Sequence, residues 1–279
     1  MSDHDWRALG SVVSRQLEPA RLELHWGAQV LAAAAAALVE TREDDSHTSM
    51  LWNPERESLG SQDMGGRTLY LRLRDATLQL VSEDIFVEGE FPLGGRTLEE
   101  ALAWARGALS SPKPLTRPAY DMPPHPVATG ALFSLGLDAA MIELASWYDN
   151  AHAALSAAAK SAAGQAGPVR SWPHHFDIAT LITLEANSDP EKAKSIGLGM
   201  TPGDASYPEP YFYVTPWPYP KDTTALPELP EGGTWHTTGW VGAVLTGTAL
   251  TSVRDASAQS QRAQGFLRGA RDACRTLFC

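Results

Sequence analysis

The chain is poor in cysteine: it has only Cys274 and Cys279, both at its C-terminal end. Neither CxxC nor any zinc-type spacing occurs, which excludes a thiolate metal site. Two readings of the pair remain, free thiols in a reducing compartment or a disulfide across a dimer. Long apolar runs are also missing. The longest, Val30 to Val39, falls far short of the roughly 20 residues that span a bilayer. The start, Met1-Ser2-Asp3-His4-Asp5, is acidic where a signal peptide is basic. The expectation is a cytoplasmic protein with no membrane anchor. Basic charge is scarce as well, with 22 Lys and Arg against 33 Asp and Glu and a net charge of -11. Residues 1–110 hold 18 acidic and 10 basic side chains, and residues 111–279 hold 15 and 12. With no basic run, nucleic acid and anionic membranes are poor partners, because phosphate neutralisation supplies most of that affinity. There is no GxGxxG, no P-loop and no GxSxG elbow. Those absences argue against a doubly wound nucleotide binder and leave no serine marked as a nucleophile.

What is present is an ordinary globular mixture of 279 residues, 43% hydrophobic and 20% charged. That length suits one large domain or two small ones. Residues 3–17 read as a short helix capped by Ser2 or Asp3, with Trp6, Leu9, Val13 and Leu17 in one stripe. Residues 20–40 read as a second helix, since alanine is the best helix former. Strand patterns follow at Thr48–Asn53, Thr68–Leu73, Thr77–Val81 and Ile85–Phe91. Thr97-Leu98-Glu99-Glu100 is a capping box that opens a helix. Residues 112–126 contain six prolines and read as an extended connector. A long helix stripe runs from Gly136 to Ala163. Strands are expected at Phe176–Leu184, Ser195–Thr201, Pro210–Thr215 and His236–Leu245, and a last helix over Ser252–Leu277. The two halves share the order helix, strands, helix without aligned identity. The order suggests an α+β protein with antiparallel sheets and two similar lobes, or one sheet with helices on one face, and two lobes is the expectation adopted. The lobes are placed at 1–111 and 136–279, joined by a connector at 112–135, and the candidate site falls on the second.

Residues 172–242 hold four of the nine tryptophans. The Trp172-x-x-x-Phe176-Asp177 opening, the Pro202-Gly203-Asp204 turn and the Pro216-Trp217-Pro218 strand end resemble a bacterial family known only as a domain of unknown function. The resemblance covers about residues 115–250 well and the first half loosely. Members often carry Gly-Ser or similar where this chain has Pro173 to His175, so paired histidines are not a requirement of the family. The resemblance implies no activity, cofactor or catalytic residue.

Neighbouring side chains on a strand point to opposite faces. In a regular strand His174 joins the apolar face of Phe176 and Ile178, and His175 joins Asp177. His175 and Asp177 are thus the pair that could share a proton or a metal, and the candidate catalytic residues. His236 is the natural third partner, with Trp240 on its face, and Asp204 or Glu209 could add a carboxylate. Imidazoles with carboxylates suit zinc, iron or copper, so one divalent metal is a candidate cofactor. In the competing reading Asp177 only orients His175 or caps a turn. Trp172, Tyr213, Trp217, Trp235 and Trp240 are the candidate substrate-binding wall. The aromatic-proline steps at Trp172, Tyr207, Trp217 and Tyr219 allow cis bonds or rigid sealing loops. His125, in Pro123-Pro124-His125-Pro126, either reaches the site or is exposed. Two functions follow. One is a small-molecule site with a His/Asp floor, extending to metal-assisted hydrolysis if the protein is an enzyme. The other is a non-catalytic binding or self-assembly module, with tryptophans as core and interface and the helix stripes as a homodimer contact.

Overall fold

The structure is a computed structural model that describes residues 5–83, 85–162, 166–187 and 192–278. The alanine-rich stretch forms helix α1 (Glu18–Leu38), with a proline in its first turn where the missing N–H costs nothing. Its small side chains admit close neighbours, so it is buried almost throughout from Ala20 to Ala35. Gly27 in particular lies against Leu71 and Leu93, where a Cβ would clash.

Five strands follow: β1 (Leu51–Asn53), β2 (Ser58–Gly60), β3 (Arg67–Arg72), β4 (Thr77–Ser82) and β5 (Phe86–Pro92). They form an antiparallel sheet in the order β1-β2-β3-β4-β5. The expected turn after Arg74-Asp75 is made by Ala76, at φ 48°. The capping box forms as read: Glu100 N donates to Thr97 Oγ1 at 3.1 Å, and Thr97 N donates to Glu100 Oε2 at 2.8 Å. It opens α2 (Leu98–Ala108), which packs against α1. Helix α3 (Asp138–Ser161) and strand β6 (Arg170–Trp172) come next.

The remaining strands are β7 (Asp177–Glu185), β8 (Lys194–Thr201), β9 (Tyr211–Trp217), β10 (Thr234–His236) and β11 (Gly242–Thr246). They pair antiparallel in the order β10-β11-β9-β8-β7. The chain ends with the short α4 (Gly247–Leu250) and with α5 (Ala256–Thr276), which Asp255 caps. The fold is thus α+β with two antiparallel sheets and helices.

The chain divides into two compact units. The first holds Gln16–Ala145 and Arg170–Phe176; the second holds Met1–Arg15, Ser146–Val169 and Asp177–Cys279. The proline-rich stretch 112–135 lies inside the first unit, and the N-terminal residues belong to the second.

The helix expected over residues 3–17 does not form. Residues 5–13 are irregular and only Ser14–Gln16 makes a 3-10 turn; residues 1–4 lie outside the described set. Buried side-chain amides take the backbone groups a helix would have used. Leu9 N donates to Gln259 Oε1 at 2.9 Å, and Gln259 Nε2 donates to Leu9 O at 3.0 Å. Arg7 and Asn150 exchange a similar pair at 2.9 and 2.8 Å. The stripe on α5 appears as expected, but Ala263, Leu267, Ala270 and Cys274 are fully buried in the chain's own core. Those four side chains are therefore not available to a partner chain.

Candidate functional site

In the first unit, the strand expected from Phe176 onward begins one residue later, and the residues before it form a turn. Phe176 N donates to Trp172 O at 2.7 Å, and Phe176 takes φ 54°, a conformation rare for a bulky residue. Strand alternation does not apply here, so the argument that joined His175 to Asp177 is corrected. His175 is exposed in the first unit, whereas Asp177 is buried in the second. The same argument separated His174 from His175, yet their rings lie 4.3 Å apart.

This turn is clamped from α1. Gln29 Nε2 donates to Pro173 O at 2.7 Å, and His25 Nε2 meets the same carbonyl at 2.9 Å. A carbonyl only accepts, so that nitrogen of His25 carries its proton. The His25 ring stacks on Phe176 with centroids 5.1 Å apart. Burial pushes the His25 pKa down to about 4, opposed by its bond to Pro173 and helped by Arg21, His175 and His174. His174 is held at about 4 by burial and then by His175. Its ring sits between Tyr120 at 5.4 Å and Trp172 at 6.1 Å. Strained backbone that buried polar groups hold in place is characteristic of functional segments. His25 and Gln29 had no role in the sequence reading. Their signal was a polar stripe, Arg21, His25 and Gln29 at steps of four, along an alanine-rich helix.

In the second unit the sheet presents two unlike faces. Phe212 and Val214 point into the core, where Trp147 and Cys274 meet them. The opposite face is paved with glycine. A Cβ on Gly199 would stand 2.3 Å from Tyr213, one on Gly197 2.8 Å from Thr215, and one on Gly242 2.5 Å from Trp240. These glycines let large side chains lie flat on the sheet.

On that face Tyr213 Oη donates to Asp177 Oδ2 at 2.5 Å, and Tyr211 Oη donates to Asp204 Oδ2 at 2.6 Å. Burial raises the pKa of both tyrosines, and the carboxylate each one bonds adds to the rise. Four rings then close a circuit. Tyr211 and Tyr207 are 4.9 Å apart, Tyr207 and His236 5.6 Å, His236 and Trp240 4.3 Å, and Trp240 and Tyr211 6.5 Å. Sides this short admit no guest between the rings, so a ligand would lie on their outer faces. Tyr207, His236 and Trp240 are each half-buried and offer such faces.

The expected strand over His236–Leu245 is broken by a turn between β10 and β11, and Trp240 lies in that turn. It still meets His236, by folding back on it rather than by strand alternation. Trp235 is tied by its Nε1 to Pro227 O at 2.7 Å. Trp217 meets Tyr219 edge-on at 5.2 Å and precedes a cis Pro218.

Among the described residues, no group of three His, Cys, Asp or Glu side chains could hold a metal ion. His175, Asp177 and His236 therefore do not form a ligand set. The reason at His236 is explicit. Its Nε2 lies 2.6 Å from Thr238 O and must carry the proton, and its Nδ1 accepts from Tyr207 Oη at 3.1 Å. Both nitrogens are engaged. Asp204 accepts from Ser206 N, Tyr207 N and Tyr211 Oη. Glu209 accepts from Thr248 N and Oγ1 at 2.6 Å each. Neither carboxylate is left for a metal. Burial pushes the Cys274 thiol up to about 12, and Cys279 lies outside the described residues. A cavity of about 110 Å³ lined by Ser161, Ile182, Ile196 and Arg271 shares no residue with the aromatic group.

Fold and site together define a two-unit α+β protein. Its first unit presents a clamped histidine turn, and its second a glycine-floored aromatic shelf. No family model, curated protein or solved structure matches this chain.

Proposed function

We propose that the protein binds a small organic molecule on the aromatic shelf of the second unit, with Trp240 and Tyr207 as the contact surface and His236 as the polar group between them. One observation carries this reading: half-exposed rings are braced against one another over a sheet face whose glycines leave room for them. Such a surface offers large apolar area at low entropic cost. Of the motif residues that carry the family resemblance, Asp177 and Asp204 bond the tyrosines of this face. The shelf needs no metal to bind, and Asp177 and Asp204 act beneath it by fixing the tyrosines. The test is a thermal-shift and fluorescence screen of small molecules, repeated on Trp240→Ala and Tyr207→Phe. Ligands lost or weakened about tenfold in Trp240→Ala support the reading. Ligands that bind both variants like the wild type refute it.

A second reading, self-assembly, is favoured by the edge strand β5 and the residue before it. Ile85, Phe86 and Val87 are 69%, 61% and 47% exposed in succession. An apolar strand edge is a template for pairing with another chain. Light scattering of the wild type and of Phe86→Lys decides it: a dimer that the substitution dissolves supports assembly, and a monomer in both removes it.

A further inference from the structure

The cavity of about 110 Å³ in the second unit has a lining of a different kind from the shelf. Ser161 ends α3, Ile182 and Leu184 lie on β7, Ile196 on β8, and Arg271 and Arg275 on α5. The register explains how they meet. Ile182 and Ile196 stand opposite one another in the β7–β8 ladder, so their side chains share one face. They are 3% and 0% exposed, which makes them the back wall. The register shifts between Thr183 and Glu185, so Leu184 is the unpaired residue of a bulge and stands half-buried beside them. Arg271 and Arg275 are one helical turn apart on α5 and turn to the same side.

The Arg271 guanidinium is held in a fixed position. Its Nη1 donates to Ser161 Oγ at 2.9 Å, its Nε donates to Asp272 Oδ1 at 3.1 Å, and its Nη2 lies 3.1 Å from the same oxygen. Ser161 Oγ gives its own proton to Ala158 O at 2.7 Å, so toward Arg271 it only accepts. These contacts use at most three of the five N–H groups of the guanidinium, and the others are open to an incoming oxygen. The Arg271 side chain is 16% exposed, whereas that of Asp272 is 64% exposed. The balancing carboxylate therefore sits in water, where an ion pair contributes little. Among the described residues no acidic side chain lines the cavity. Like charges at this helical spacing repel one another. A chain with 33 acidic and 22 basic residues thus turns two cations into one cavity and no anion.

We propose that this cavity is a second binding site, independent of the aromatic shelf, for a short-chain monocarboxylate. The carboxylate takes the open N–H groups of Arg271 in the forked geometry that a guanidinium favours, and the charge of Arg275 adds to the attraction. The alkyl body lies against Ile182, Leu184 and Ile196. The wall sets the class of ligand. Apart from the arginines its side chains offer no open donor, so a second polar group on the ligand would go unpaired. That disfavours phosphate, dicarboxylates and sugar acids. The volume sets the size: a dry cavity of about 150 Å³ holds benzene, so this one takes an acid of about four carbons.

The experiment titrates the full chain with isobutyrate and follows the isoleucine δ-methyl signals by NMR. The chain has five isoleucines, so the signals are few, and Ile182→Val and Ile196→Val assign the two that matter. Isobutyrate shifts the Ile182 and Ile196 methyls and leaves those of exposed Ile85 and Ile142 in place. The dissociation constant expected for so small a ligand is about 1 mM. Isobutyramide has the same shape without the charge, and inorganic phosphate has charge without the alkyl body. Each binds at least about tenfold more weakly. Arg275→Gln, at an exposed position, weakens isobutyrate about tenfold, and so does Arg271→Lys, which keeps the charge and loses the fork. The methyl spectrum of each variant without ligand reports its folding. No shift of the Ile182 and Ile196 methyls in the wild type overturns the proposal. Equal binding of isobutyramide or phosphate does so too, as does wild-type affinity in both arginine variants.

Discussion

The two sheets use the same device and end in opposite chemistry. In each, a tyrosine lies flat across a glycine of the neighbouring strand: Tyr70 over Gly60 in the first unit, Tyr213 over Gly199 in the second. Around Tyr70 the charges neutralise one another. Arg56 lies over its ring, Gln79 bonds Glu90, and Arg72 bridges Glu90 and Asp75. Around Tyr213 the partners are carboxylates that accept from tyrosine hydroxyls. The titrating groups differ accordingly. The first unit buries neutral imidazoles with lowered pKa. The second buries neutral phenols with raised pKa. The lesson is that acid and alkali should act on different halves of one chain. A buried imidazole's contribution is present above its unfolded value and is lost as pH falls. A buried phenol's contribution is present below its unfolded value and is lost as pH rises.

The largest effect that could break this comparison is at His25. Between about pH 6.5 and about pH 4 the unfolded chain takes up a proton that the folded chain refuses, which removes about 3 kcal/mol of stability. Urea midpoints across that range should fall in the wild type and fall less in His25→Gln. An equal slope in both would show that the clamp is not the acid-sensitive element. Next in size is the glycine pair. Gly199→Ala should cost about 2–3 kcal/mol, because Tyr213 is held by Asp177 and cannot give way, whereas Gly60→Ala should cost about 1 kcal/mol. Equal losses in chemical denaturation would mean that the Asp177 bond does not immobilise the ring. The smallest is the hydroxyl pair. Tyr213→Phe takes a donor from buried Asp177 and should cost about 1–2 kcal/mol, while Tyr70→Phe stays within about 0.5 kcal/mol. Alkaline ultraviolet titration should lose one late-ionising phenol in Tyr213→Phe.

The sequence was most legible where local forces agree with the fold. The capping box at Thr97, the helix through the alanine run, the alternating strand over Thr68–Leu73 and the buried stripe on α5 were all readable from spacing alone. It misled where tertiary partners replaced local ones. Residues 5–13 carry a helical stripe, but Gln259 and Asn150 take backbone groups of Arg7 and Leu9 and the segment is irregular. His175 and Asp177 carry strand alternation, but Pro173 O is pinned by His25 and Gln29, and the chain turns there. Of the candidate wall, Tyr213 and Trp240 share the shelf face. Trp172 stands with His174 in the first unit, and Trp235 and Trp217 are tied to Pro227 and Tyr219. Tyr207 stands out in the sequence only as the neighbour of a proline, and Tyr211, which completes the shelf with it, only through its tertiary contacts.

Composition and periodicity alone determined an acidic α+β chain with two antiparallel sheets, and pointed to residues 172–242 as its most unusual stretch. Both are properties of local order and of bulk charge, which need no knowledge of distant contacts. Which side chains meet was decided only by the tertiary structure. A histidine on α1 reaches a carbonyl 148 positions away, and a tryptophan folds back across a turn onto a histidine. Such contacts depend on where the backbone turns. Here buried polar groups set those turns by bonding the backbone, and no local pattern records that choice.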